Sequence, residues 1–166
     1  MSIAESFLAK IDQEAATTKR VLERVPGDKL SWKPHEKSMS LGQLALHIAT
    51  IPGSIVALIT PDAFELPSSF DSPEPASSEA LVPALESSVA TAKEFLAGLD
   101  DEAALSTWTL SKGDRTIMAV PRIGMVRSIM LNHWYHHRDQ LSVYLRLLDV
   151  PVPSIYGPSA DENPFA

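Results

Sequence analysis

Between Pro121 and Asp149 apolar residues recur at helical spacing, and in the middle of that stripe histidines take their place. Val126, Ile129, Met130, Gln140, Leu141, Tyr144 and Leu148 trace one seam at about 100° per residue. His133 and His137 fall on the same seam at i, i+4, a spacing that lets two ring nitrogens of one helix reach one ion. His136 lies on the other flank at i+3, which also permits a shared ion, so His136 and His137 are alternatives for the second ligand. A polar side chain on a core-facing stripe costs free energy unless it is paired, and the usual partners are a hydrogen-bonding group or a metal.

Three further segments have helical periodicity. The first uses Ile3, Phe7, Leu8, Ile11, Ala15, Leu22 and Val25, and Pro26-Gly27 ends it. The second opens at Ser40, where Ser40-Leu41-Gly42-Gln43 has the form of a capping box. It continues through Leu41, Leu44, Ile48, Ile51, Ile55 and Leu58, with a bend expected at Pro52-Gly53, one turn past His47. The third runs from about Ser78 to Leu99 on Leu81, Leu85, Val89, Ala92 and Phe95, with Pro83 obscuring its start. Between them, residues 60–77 are Pro- and Ser-rich and predict an extended surface loop, whereas residues 107–118 could close a small hairpin around Ser111-Lys112-Gly113-Asp114. The tail after Val150 reads as irregular, and no internal repeat is evident. The expectation is an all-α single domain over residues 1–166, an antiparallel up-and-down four-helix bundle with a small hairpin before the last helix.

In that topology helices two and four start at the same end. His47 lies seven residues into helix two and His133 about twelve into helix four, so at 1.5 Å per residue both sit roughly 10 to 18 Å from their helix starts. His47, His133 and His137 are therefore expected to converge as metal ligands. Three histidines leave a coordination position open, as catalytic rather than structural sites do. With no cysteine in the chain, disulfides, thiolate metal sites, iron–sulfur clusters and cysteine nucleophiles are excluded. Zinc is the first expectation for such a nitrogen set, and nickel, cobalt and iron(II) are also compatible. Gln43, Gln140 and Tyr144, within one or two turns of the histidines, are candidates for outer-shell support or substrate contact. Residues 26–39 and 100–120 are expected to frame the pocket, with Trp32, Lys33, Trp108 and Arg115 as lining residues. His35 reads as a solvated surface residue, and Trp134 and Tyr135, off the seam, as packing or dimer contacts.

The formal net charge is −7 and the 14 lysines and arginines are scattered, which argues against nucleic acid or an anionic membrane as partner. The N-terminus lacks the form of a signal peptide and no apolar run reads as long enough to span a membrane, so a cytoplasmic location is the expectation.

The segment from His133 to Pro158, His-x-x-His-His-Arg-Asp-Gln-Leu-Ser-x-Tyr-Leu-Arg followed by Pro-x-x-Tyr-Gly-Pro-Ser, together with a histidine early in helix two, resembles the DinB/YfiT-like metal-binding bundles. The likeness spans nearly the whole chain in helix order. It implies His47, His133 and His137 as ligands, His136 as a neighbour, and a homodimer. Asp139 stands where family members commonly have glycine, and it points away from the histidine seam. Characterised activities of the family are mostly thiol-dependent transfers or isomerisations, so the resemblance implies a metal-dependent S-transferase acting on a small electrophile, with the thiol supplied from outside. A metal-dependent hydrolase using bound water is the second reading, and a noncatalytic metal-binding stress or interaction protein the third.

Overall fold

Two serines start the first two helices in the same way. In the computed structural model, which describes residues 2–166, α1 (Ile3–Leu22) and α2 (Leu41–Ile59) both begin at capping boxes, Ser2 with Glu5 and Ser40 with Gln43. A 3₁₀ turn at Ser78–Ala80 leads into α3 (Leu81–Ala97), where Pro83 sits in the first helical turn and removes no intrahelical hydrogen bond. Next come α4 (Asp101–Leu105) and a last long helix in three parts: α5 (Arg122–Met125), a π-helical segment at Val126–Leu131, and α6 (Asn132–Leu147).

The long helices do not alternate in direction. Lys19 pairs with Glu86 at 2.9 Å and the Ile3 amide donates to Asp101 at 2.9 Å, so α1 and α3 are antiparallel. The Gln43 amide donates to the Ser72 carbonyl at 2.9 Å and Ser40 to Glu74 at 2.8 Å, so residues 60–77 return to the end where α2 began, and α3 runs parallel to α2. The Arg122 guanidinium donates to the carbonyls of Ile59, Thr60 and Pro61 at the far end of α2. Tyr144 reaches Met39 at the near end, which makes α2 and the last helix antiparallel. The order is up, down, down, up. An up-and-down order needs short loops, and residues 60–77 are instead a connection long enough to travel back along α2, whose 19 residues span about 28 Å.

That connection is not wholly irregular. Its residues Ala63–Glu65 form β1, which pairs in parallel with β2 (Thr107–Lys112), and β2 pairs antiparallel with β3 (Arg115–Pro121). The expected hairpin is present, with Gly113 at φ +56 in its turn, and it is the middle and outer strand of a three-stranded sheet. The all-α expectation, which included the hairpin but not β1, is thus corrected to a mostly helical fold with a small sheet. A three-residue strand flanked by Pro61 and Pro67 is too short to show alternation in sequence.

Helix α2 is the centre of the core, and 11 of its 19 residues are buried. It has no charged side chain and is long and apolar enough to cross a membrane by length and composition, contrary to the sequence reading. A helix apolar on all sides must be enclosed, and here the other helices enclose it. Pro52 leaves the Ile48 carbonyl without its ladder donor, and Ser88 of α3 braces the turn beside it: the Ser88 hydroxyl donates to the Thr50 carbonyl at 3.0 Å and accepts from the Gly53 amide at 2.8 Å.

The π segment changes the phase of the last helix. Met125, Val126, Met130, Leu131, Trp134, Leu141 and Leu145 are buried, so the deep seam passes through Trp134 and Arg138 rather than through the histidines, which flank it half-buried. Trp134 is a core residue, not an off-seam one. Arg138 is 1% exposed and faces α1, where it pairs with the equally buried Glu14 at 2.7 Å and donates to Thr18 at 3.2 Å. From the tail, Tyr156 accepts from Arg138 and donates to Glu14 at 2.8 Å, while Lys10 closes on Glu14 at 2.6 Å. Burial pushes the Glu14 carboxyl up, but these partners outweigh it and hold it below the usual carboxylate range.

Candidate metal centre

One ring from α2 and two from α6 meet between the antiparallel helices. Counting from the end that Arg122 ties together, His47 is twelve residues before Ile59 and His133 eleven after Arg122, so both lie at nearly the same height. The rings of His47, His133 and His137 stand edge to face in all three pairs, with centroids 5.2, 4.6 and 4.3 Å apart. One nitrogen from each lies within 4.8 Å of the others, and the Nε2 atoms of His47 and His133 are 3.0 Å apart. Two nitrogens bound at zinc distance around a tetrahedral ion stand about 3.3 Å apart, so the arrangement fits one small cation.

The protonation states fit as well. Burial, then the neighbouring histidines, pushes His47 down to about 4 and lowers His133 in the same way. Burial also lowers His137, and its hydrogen bond to Gln140 opposes the shift. Near neutral pH all three imidazoles are uncharged, the form that ligates metal. At His137, Nδ1 lies 2.6 Å from Oε1 of Gln140, an acceptor, so Nδ1 carries the proton and Nε2 keeps its lone pair.

Beside His137 opens a pocket of about 160 Å³ lined by Ser38, Met39, Leu44, His137, Gln140 and Tyr144. Trp32 packs edge-on against Tyr144 at 5.6 Å and so backs the pocket wall. His136 is exposed, with its ring 4.9 Å from that of His137, and His35 and Lys33 are also exposed. Gln43 is engaged elsewhere: its Oε1 accepts from the Ser40 amide and its amide nitrogen holds Ser72. Residues 100–120 do not frame the site. Trp108 is 1% exposed and donates to Leu58 carbonyl at 3.1 Å, and Arg115 is exposed in the hairpin, both toward the other end of α2. That placement follows from the parallel course of α2 and α3. Ser38 and Met39 belong to the stretch 26–39 expected to frame the pocket, whereas Leu44, one turn before His47 on the same helix face, is not among the expected lining residues.

A mostly helical fold with two antiparallel helices presenting three histidines defines a class of candidate metal-binding helical proteins. The DinB family model matches residues 1–164, and the chain belongs to the DinB family. It is 26% identical over 158 residues to the protein YrdA of Bacillus subtilis strain 168, covering 95% of this chain and 90% of that one. Among solved structures, a DinB-like protein from Bacillus cereus ATCC 10987 superposes with TM-score 0.72 at 22% identity, covering 93% of this chain and 98% of that chain. The DinB-like protein YjoA from Bacillus subtilis gives TM-score 0.65 at 19% identity, with 88% and 96% covered. The two structures carry the fold.

Proposed function

We propose that the protein is a metal-dependent transferase, in which His47, His133 and His137 hold a divalent ion and an external low-molecular-weight thiol attacks an electrophilic small molecule. The observation that carries this reading is the convergence of three neutral imidazoles beside a pocket, with no carboxylate among the partners of their nitrogens in the described residues. A bound divalent ion with a vacant coordination position lowers the pKa of a thiol or water, so that a nucleophile forms near neutral pH. Zinc is the first expectation for this donor set, with nickel, cobalt or iron(II) as alternatives. Because the chain has no cysteine, the thiol is a cosubstrate.

The chain's own groups have separable tasks. Gln140 fixes the ring of His137, Met39 and Leu44 supply an apolar wall, and Ser38 and Tyr144 place hydroxyls at its edge. Elemental analysis of natively purified protein tests the first half, with one divalent ion per chain expected. A panel of electrophiles with and without added thiol tests the second, with turnover expected only with thiol. Turnover without thiol would instead establish a metal-dependent hydrolase, and metal without any turnover a noncatalytic role. The homodimer implied by resemblance belongs to the same proposal, and light scattering at twice 18.1 kDa would support it.

A further inference from the structure

Helix α6 carries one histidine that the trio does not use. His136 is exposed, whereas His47, His133 and His137 are half-buried between α2 and α6. Its ring centre lies 4.9 Å from that of His137, with 67° between the ring planes, and it stands one turn from His133 at i+3. Among the described residues neither of its ring nitrogens has a hydrogen-bond partner. The trio offers less to an ion still in solvent. Nδ1 of His137 is engaged by Gln140 at 2.6 Å, and the Nε2 atoms of His47 and His133 stand 3.0 Å apart in the gap between the helices. Gln140 is itself exposed and lies one turn beyond His136 on the same face of α6, so the unengaged imidazole stands at the outer edge of the site.

An ion that reaches the trio directly must shed water and enter the gap before it gains a nitrogen. A ligand at the edge divides that step. It takes the ion while most of the water is still in place, and hand-over to a ring 4.9 Å away is then intramolecular, at high effective concentration. The same group hastens release, because lowering one barrier speeds both directions equally and leaves the equilibrium unchanged.

Resting on the metal site proposed above, we propose that His136 is an entry ligand: it captures the divalent ion at the surface, passes it to His137 and His133, and takes no part in holding it afterwards. The resident set stays at three histidines, and its vacant position stays available to reactants.

The test follows zinc in both directions. Metal-free full-length protein is mixed with zinc and a fluorescent zinc indicator in a stopped-flow instrument, and zinc-loaded protein is mixed with excess chelator. His136→Ala is expected to slow binding and release about ten-fold each, while their ratio, Kd, holds within about three-fold. Cobalt loaded in place of zinc should give the same visible absorption spectrum in variant and wild type, because the resident ligands are the same. His136→Glu offers a different ligand atom at the same place and should return both rates to within about three-fold of wild type, a rescue that a merely structural side chain would not show. Unchanged rates in His136→Ala overturn the proposal while leaving the metal site in place. So does a Kd weakened ten-fold or an altered cobalt spectrum, either of which makes His136 a resident ligand, and so does a His136→Glu protein as slow as the alanine variant. If wild type takes up no zinc, the metal reading itself falls and the entry role goes with it.

Discussion

His137 and Arg138 are neighbours in the chain, yet they belong to two opposite solutions of one problem. Both put polar groups inside a helical core, about 100° apart around α6. Arg138 turns to α1 and is answered from within: Glu14, Thr18 and Tyr156 meet its guanidinium, and Lys10 meets the remaining Glu14 oxygen. His137 turns to α2, where its ring contacts are other imidazoles and its hydrogen bond among the described residues is to Gln140. One cluster is answered by charge from within, although the Arg138 Nε has no hydrogen-bond partner among the described residues. The other gathers three imidazoles that could hold a metal ion, with no carboxylate among their hydrogen-bond partners in the described residues. The contrast separates a polar group paired within the fold from a cluster that could take up a cation.

The largest expected effect breaks the closed cluster. Arg138→Met leaves Glu14 buried without its main counter-charge and should cost about 3–5 kcal/mol, measured by urea unfolding. A loss near zero would mean that Glu14 protonates or finds water, and the contrast would collapse. In the open cluster, His47→Ala should abolish stoichiometric metal while leaving metal-free stability nearly unchanged. Wild type should gain about 2.7 kcal/mol at a metal concentration 100-fold above Kd, and the variant none, as read by thermal melts with and without zinc.

Acid sharpens the comparison because the two clusters respond differently. The trio's folded pKa values are depressed, His47 to about 4 against 6.5 unfolded. Above pH 6.5 neither state is protonated at these sites and they contribute no pH dependence. As pH falls from 6.5 towards 4 the unfolded chain takes up protons that the native trio refuses, so stability falls with pH, and metal should be released over the same interval. Glu14, held low, contributes above its unfolded value near 4.5 and loses that contribution only as pH drops through its folded value. Arg138→Met should therefore leave the fall between pH 6.5 and 4.5 in place, and His47→Ala should make it shallower while His133 and His137, lowered mainly by their own burial, keep the remainder. The smallest effect is Tyr156→Phe, which removes one hydroxyl from Arg138 and Glu14 and should cost about 1–2 kcal/mol in the same urea assay.

The trio was legible in sequence because histidines at i, i+4 on a core-facing helix, with one more on another helix, leave few arrangements. The route to it was not. Equal depth was inferred from helix starts at a common end, whereas His47 and His133 match in height because Ile59 and Arg122 are tied together. Direction is set by the return of residues 60–77, and composition shows that a segment is irregular, not where it goes. The same error placed Trp108 and Arg115 at the site. Arg138 was visible only as a letter in a motif: the signal that could have raised it was Glu14 and Thr18 at i, i+4 between the apolar positions of α1. The phase of the final helix was hidden too, since a π turn has no hydrophobic period of its own.

The wide turn at Val126–Leu131 amounts to one surplus residue wound into an otherwise regular rod. Excising a single residue there should let the backbone close into ordinary α-helical winding, with Arg122 still fastened to the end of α2 and His133 still opposite His47. Length variation among relatives can therefore be absorbed at this one place, upstream of the histidines, without the rings losing their bearing.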